Sequence, residues 1–270
     1  MPLWPARSPD EDPAHLSHGA MTVPQQCSRR LFAGLVVAGG VAVASPSIDA
    51  WAAAPPVGAG LYGSGTLGDW TGMPQSVSTP RTISLVVARD GLLGFGDSIG
   101  VGTFRDLATR LLLHGTLFAV NAQSARPTAP TVDILSQWAI TYRLPSRILM
   151  TVGSNDIFNP SRFSAQIDRV MTITGPDVTV FWPEIHVSRW SQSASVQIAD
   201  QRNSGWLNVQ LYAAAAKHEN LRIISWASFL ATEPARRIGA YLSDGVHTTA
   251  AGTAVRNSLI VSLIQPPQSH

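Results

Sequence analysis

Lysine is almost absent from this 270-residue chain: Lys217 stands alone, and every other Lys-or-Arg position is arginine. The arginines are scattered and the formal net charge is only +2. With no basic tract, nucleic acid is excluded as a partner. The arginine preference itself reads as genome composition. Cysteine is equally scarce, with Cys27 the only one, so no disulfide framework is available. No apolar run reaches the about 20 residues that a bilayer-spanning helix needs, which argues against an integral membrane protein. Against these absences stand 45% hydrophobic residues, 22 glycines and 19 prolines. That composition suits one larger globular domain with appendages.

The first appendage is a targeting segment. Ser28-Arg29-Arg30-Leu31-Phe32 precedes a weakly apolar run from Ala33 to Ala44, and Ala50-Trp51-Ala52 offers a small-residue cleavage site. A basic start, a short apolar middle and a small-residue end form an export signal. The arginine pair with Phe32 behind it resembles a twin-arginine signal, which implies the twin-arginine export machinery as a partner and a secreted or cell-envelope location. A buried helix is the competing reading, and Gly34, Gly39 and Gly40 argue against it. Met21 offers an alternative start. Cys27 lies before the apolar run, where it cannot be a lipid-modified cysteine, and it leaves with the signal. The expected division is a lead and signal over residues 1–52, a linker or arm over 53–80, and one domain over 81–270.

Along the domain, strands alternate with helices. Ile83 to Ala88 reads as an extra strand, and a core strand begins at Leu92. Gly102-Thr103 opens a helix with Phe104, Leu107, Ala108, Leu111 and Leu112 at helical spacing, and Thr103 with Asp106 resembles a capping box. Further strands are expected over Leu117 to Val120, Arg147 to Val152, Val178 to Trp182 and Leu221 to Trp226. Helices are expected from Val132, from Asn159-Pro160 with Phe163, Ile167, Val170 and Met171 inward, and around Leu207, Leu211 and Ala215. The closing helix, Thr248 to Leu263, would turn Ala251, Val255, Leu259 and Leu263 inward. Such alternation means a parallel sheet covered on both faces, an α/β fold.

Three short blocks carry the chemistry. Gly94-Phe95-Gly96-Asp97-Ser98-Ile99-Gly100 places a hydroxyl at the carboxyl end of a buried strand, where open α/β sheets bind ligands. A serine there needs a base beside it. Ser243-Asp244-Gly245-Val246-His247 supplies one: His247 as base, with Asp244 three residues earlier to fix its tautomer and stabilise its cation. Gly153-Ser154-Asn155-Asp156 supplies an amide, Asn155, for the oxyanion, which backbone N–H groups at Ser98 and near Ala125 complete. This chemistry needs no metal and no cofactor.

Together the Gly-Asp-Ser, Gly-Ser-Asn-Asp and Asp-x-x-His blocks resemble those of the SGNH hydrolases, the GDSL esterase and lipase superfamily, from about Leu92 to Leu263. The resemblance implies a three-layer α/β/α sandwich with a parallel sheet of about five strands. It also implies an ester substrate, with Ser98, Asp244 and His247 as catalytic residues and Ser98, Ala125 and Asn155 around the oxyanion. One block departs: Ser124-Ala125-Arg126 stands where the family has a glycine. Alanine serves if the turn keeps a negative φ, and a positive φ would distort the hole. Arg126 is then a candidate contact for an acidic substrate group, the alternative being a solvated loop arginine.

Gly96-Asp97-Ser98-Ile99-Gly100 also satisfies the G-x-S-x-G pattern of α/β-hydrolases, but Ser98 follows the first core strand, and the acid sits three residues before the histidine. The glycine spacing misses the dinucleotide fingerprint by one residue. Taken singly, Ser98 reads equally as a helix cap, Asn155 as a turn residue and the Asp244–His247 pair as a satisfied loop. Glu184 and His186 are either pocket-lining or surface groups, and Trp182, Trp190 and Trp206 either an acyl or sugar platform or ordinary packing. The functional expectation is an exported serine esterase. An O-acyltransferase acting on a glycan, or a non-catalytic carbohydrate-binding module on the same scaffold, are its alternatives.

Overall fold

The computed structural model describes residues 62–265. The export signal, Met21 and Cys27 therefore lie outside the described residues. Among the described residues no helix is long and apolar enough to cross a membrane.

Six strands form one sheet in the order β1-β3-β2-β4-β5-β6. They are β1 (Gln75–Val77), β2 (Leu92–Gly96), β3 (Phe118–Gln123), β4 (Arg147–Thr151), β5 (Thr179–Pro183) and β6 (Leu221–Ile224). Strands β2 to β6 run parallel, and only β1 pairs antiparallel, against β3. Alternation along β2 sets the two faces. Leu93 and Phe95 join Trp138, Met150, Val170 and Leu207 on one side, while Leu92 joins Phe104, Leu107, Leu111 and Ile260 on the other. The first side is covered by α1 (Pro80–Ala88), α3 (Thr128–Tyr142), α4 (Phe163–Thr174) and α5 (Ala194–Ala215); the second by α2 (Ser98–Leu113) and α8 (Ala250–Ile264). Between β6 and α8 come the short helices α6 (Trp226–Thr232) and α7 (Ile238–Tyr241). This is the expected three-layer α/β/α sandwich, with an antiparallel edge added to its five parallel strands. Each fully buried Leu or Phe contributes about 1.5–3 kcal/mol.

Several local expectations are corrected. Residues 83–88 belong to helix α1, not a strand. Pro80 stands in its first turn, the Thr79 side chain accepts from the Thr82 N–H, and only Ile83 and Val86 are buried, at helical spacing. Residues 62–80 are no loose linker: Gln75–Val77 enters the sheet, and the Asn203 amide donates to the Tyr62 carbonyl at 2.9 Å and to Ser64 Oγ at 2.8 Å. Helix α2 starts at Ser98, one turn before Thr103, because Asp97 caps it through the Ile99 N–H at 2.9 Å. Thr103 instead donates to the Ile99 carbonyl at 2.7 Å, so there is no capping box at 103–106. Helix α8 buries Gly252, Arg256, Asn257, Ile260 and Ile264, one position round from the expected face, and Leu263 stays exposed.

Candidate active site

Strands β3, β2 and β4 lie side by side, and the chain leaves β2 on opposite sides to build its two neighbours. Their carboxyl ends therefore open the crevice where such sheets bind ligands. Ser98 follows β2, Ala125 follows β3 and Asn155 follows β4. A side chain on Gly96 would begin 2.7 Å from Thr151 Oγ1 and 3.0 Å from the Gly100 Cα, so glycine there lets the first turn of α2 lie against the strand. Ser98 sits at the start of α2 with its hydroxyl beside the cavity.

The loop before α8 brings the other two groups. His247 Nε2 lies 2.9 Å from Ser98 Oγ, and His247 Nδ1 lies 2.7 Å from Asp244 Oδ2. With Nδ1–H donating to the carboxylate, Nε2 is left as the acceptor for the serine proton. The other Asp244 oxygen accepts the backbone N–H groups of Val246 at 2.9 Å and His247 at 2.8 Å. Burial acts to raise the Asp244 carboxyl, but the His247 ring, these two N–H groups and the His247 charge outweigh it and hold it below the usual range. One carboxylate thus orients both the ring and the loop that carries it.

Ser98, Ala125, Asn155 and His247 all line a cavity of about 440 Å³ whose remaining wall includes Met73, Ile157, Phe158, Val187 and Val246. The Asn155 amide donates to the Arg126 carbonyl at 3.3 Å, which ties the loop after β4 to the loop after β3. Amide nitrogens carry two hydrogens, so a second remains for a ligand. Ala125 is at φ 60, in the left-handed region expected to distort the hole, yet it still lines the cavity with Ser98 and Asn155, so the cost falls on the backbone and the position is kept. The surroundings hold it there: Ser124 N–H donates to the Pro74 carbonyl at 2.9 Å, and Arg126 N–H to the Gln123 carbonyl at 3.3 Å. Alanine in this region costs roughly 1–2 kcal/mol, a strain the fold carries.

Arg126 is neither a substrate contact nor a solvated loop residue. It is 1% exposed, absent from the cavity wall, and donates to Asn121 Oδ1 at 2.8 Å, the Asn121 carbonyl at 3.0 Å and the Gly96 carbonyl at 3.1 Å. Its guanidinium thus braces the ends of β2 and β3 from inside. Beneath the serine, Asp97 has no exposed surface. Burial pushes its carboxyl up, against the Ile99 N–H and the charge of Arg256 on α8. Arg126 and Arg256 are both pushed down to about 10 by burial, with Asp97 opposing, so both remain cations at neutral pH. Asp156, beside Asn155, accepts from Thr128 N–H at 3.0 Å and Thr128 Oγ at 2.7 Å, yet burial pushes its carboxyl up to about 7.

Other sequence candidates fall elsewhere. Glu184 is buried and accepts from Ser228 N–H and Ser228 Oγ at 2.7 Å each, anchoring α6. His186 lines a separate small cavity with Arg256 and Trp226. Trp182 is fully buried and donates to the Val152 carbonyl at 2.9 Å, while Trp206 packs on Tyr62. The loop over residues 183–195 is expected from the sequence to help set the substrate, but the sequence misses the structural role of its segment Val187–Ser191. Its backbone docks the Asp244–His247 loop: Ser188 N–H donates to the Gly245 carbonyl at 2.9 Å and Trp190 N–H to the Asp244 carbonyl at 3.0 Å. No periodicity marks that segment, and its one usable signal was the lone Arg189 among uncharged residues.

Comparison with protein-family models and with curated proteins gives no match. Among solved structures the chain resembles the C-terminal catalytic domain of Streptococcus pneumoniae peptidoglycan O-acetyltransferase A, at 17% identity and TM-score 0.52, over 66% of this chain and 94% of that one. It is similar to a lipase/acylhydrolase from Enterococcus faecalis, at 18% identity and TM-score 0.52, over 66% and 100%. A GDSL-like lipase from Bacteroides thetaiotaomicron matches at 17% identity and TM-score 0.54, over 66% and 90%. The architecture that this chain adopts is the fold of the GDSL, or SGNH, hydrolases.

Proposed function

We propose that the protein is a serine esterase working through an acyl-enzyme. The observation that carries this reading is the continuous Ser98–His247–Asp244 array, with contacts of 2.9 and 2.7 Å, open to a cavity that Asn155 and Ala125 also face. His247 takes the Ser98 proton as Oγ bonds to the ester carbonyl carbon. The carbonyl electrons move onto oxygen, held by the N–H groups of Ser98 and Ala125 and the Asn155 amide. The carbon–oxygen bond to the alcohol then breaks, and the proton on His247 goes to the departing oxygen. Water repeats the sequence to release the acid. Every step uses groups of this chain.

Hydrolysis of an ester panel of graded acyl length by wild type and Ser98→Ala tests the reading. Turnover is expected to vanish in the variant, with a nearly unchanged Tm. A folded variant as active as wild type rejects it. The likeness to an O-acetyltransferase domain supports a second reading, in which a glycan hydroxyl replaces water as acceptor. Adding such an acceptor and finding acylated glycan rather than free acid distinguishes the two. The Arg29-Arg30 pair supports export by the twin-arginine route to the cell envelope or beyond. Retention of an Arg29→Lys, Arg30→Lys variant inside the cell tests that part.

A further inference from the structure

Arg189 lines the same cavity as Ser98 and His247, and the reaction proposed above gives it no task. Its guanidinium is fixed with unusual completeness. Nε lies 2.8 Å from Asp200 Oδ2, and Nη2 lies 2.8 Å from Asp200 Oδ1 and 2.6 Å from the Ser64 carbonyl. The backbone N–H of the same residue reaches Asp200 Oδ2 at 3.2 Å. Asp200 is fully buried, whereas the Arg189 side chain keeps 25% of its surface open. Its plane lies over the Phe158 ring, 4.9 Å from the centroid. Among the described residues Nη1 enters no hydrogen bond. A rigid guanidinium with one nitrogen unpaired among the described residues therefore lines a mostly apolar cavity, and rigidity of this kind lowers the entropy lost on binding.

Two arguments define what that nitrogen meets. First, the proton on His247 Nε2 must reach the departing alcohol oxygen, so the alcohol half of the ester lies along the His247 side of the cavity. Ser188 and Trp190, flanking Arg189, are bonded to the backbone of Gly245 and Asp244 on that side. Second, the bidentate pair with Asp200 cancels the charge of Arg189. What remains is a donor without net charge, which suits neutral hydroxyl or ether oxygens better than an anion.

Resting on the esterase reading, we infer that Arg189 is a specificity-determining residue that recognises an oxygen-rich alcohol, a polyol or sugar, through its free Nη1 edge. The Phe158 ring and Val246 supply apolar surface for the carbon faces of such an alcohol.

Acetate esters of ethanol, glycerol and glucose, compared by kcat/KM in wild type, Arg189→Met and Arg189→Lys, test this. Wild type is expected to prefer the glycerol and glucose esters over ethyl acetate. Arg189→Met should shrink that ratio by about fivefold, as loss of one uncharged hydrogen bond does, and Arg189→Lys should restore part of it. A purely structural Arg189 would lower all three esters alike, and an unchanged ratio overturns the inference. So does a wild-type enzyme without the preference. If Arg189→Met fails to fold, Arg189→Met with Asp200→Asn removes both charges and carries the same comparison. Absence of Ser98-dependent turnover of ethyl acetate is a different result, and it refutes the esterase reading itself.

Discussion

Ser188 and Gly245 touch backbone to backbone: the Ser188 N–H donates to the Gly245 carbonyl at 2.9 Å, and the Ser188 carbonyl oxygen lies 1.7 Å from where a side chain on residue 245 would begin. Gly245 is also at φ 88. Only glycine satisfies both conditions. Gly245→Ala must push the acid–base loop off the 187–191 segment and carry His247 away from Ser98. Displacing a catalytic group by about 1 Å can cost on the order of a hundredfold. We expect kcat to fall by at least that much, with a lower Tm as well. Wild-type kinetics in the variant would show that this docking does not set the geometry.

The acid limb of the rate profile follows from Asp244. Its carboxyl is held below the usual range, so it stays ionised through the neutral and mildly acid range. A protonated imidazole cannot accept from serine, so kcat/KM should fall as pH drops, with a single-proton slope. Because the carboxyl is lowered in the folded state, any stability it lends is present at neutral pH and lost only as pH falls through the folded value. Asp244→Asn should lower kcat by about a thousandfold or more while the protein remains folded. A profile with a two-proton acid slope would contradict this assignment.

Ala125 makes an opposite prediction. Glycine relieves about 1–2 kcal/mol of left-handed strain and returns about 0.4–1 kcal/mol through a more flexible unfolded chain. Ala125→Gly should therefore retain turnover and raise Tm by up to about 3–6 °C. Ala125→Val, β-branched at positive φ, should destabilise the protein and reduce kcat. Thermal melts of the two variants in opposite directions would verify the backbone geometry; a destabilised glycine variant would refute it.

Asp156 predicts a pH-dependent stability. With its carboxyl at about 7 in the folded chain against 3.8 as reference, the native state binds the extra proton between those values. Stability should then decline as pH rises through that window. Asparagine can still accept from the Thr128 N–H and hydroxyl without carrying a charge. Asp156→Asn should match wild type near pH 4 and exceed its Tm at pH 8 by at least about 2–4 °C. Parallel curves for the two proteins would dismiss a buried, reluctant acid at this position.

The sheet was legible because buried parallel strands such as Leu92–Gly96 and Arg147–Thr151 are short apolar runs. Ser98 and Asn155 could be singled out because each follows a strand, and Asp244 with His247 because the two stand three residues apart in one loop. Polar side chains turned inward were not. Arg256 and Asn257 bury where apolar spacing put Val255 and Leu259, since Asn257 reaches the Thr103 carbonyl at 3.1 Å and Arg256 faces Asp97. The 22-residue α5 hides its first turns in the same way, burying Asp200, Asn203 and Ser204. Periodicity records hydrophobicity, and these faces are built from hydrogen bonds. Residues 83–88 failed for a different reason: Ile, Val and Val suit a strand, but Pro80 and the Thr79 cap had already committed the segment to a helix.

Tyr62 and Ser64 lie far upstream of Ser98, yet they supply acceptors for Asn203 and for Arg189. A shortened chain cut at the first core strand would look complete by its sequence blocks. It would nonetheless leave a buried amide and a guanidinium without these acceptors. On the specificity inferred for Arg189, the smallest segment able to display it therefore includes Tyr62 and Ser64.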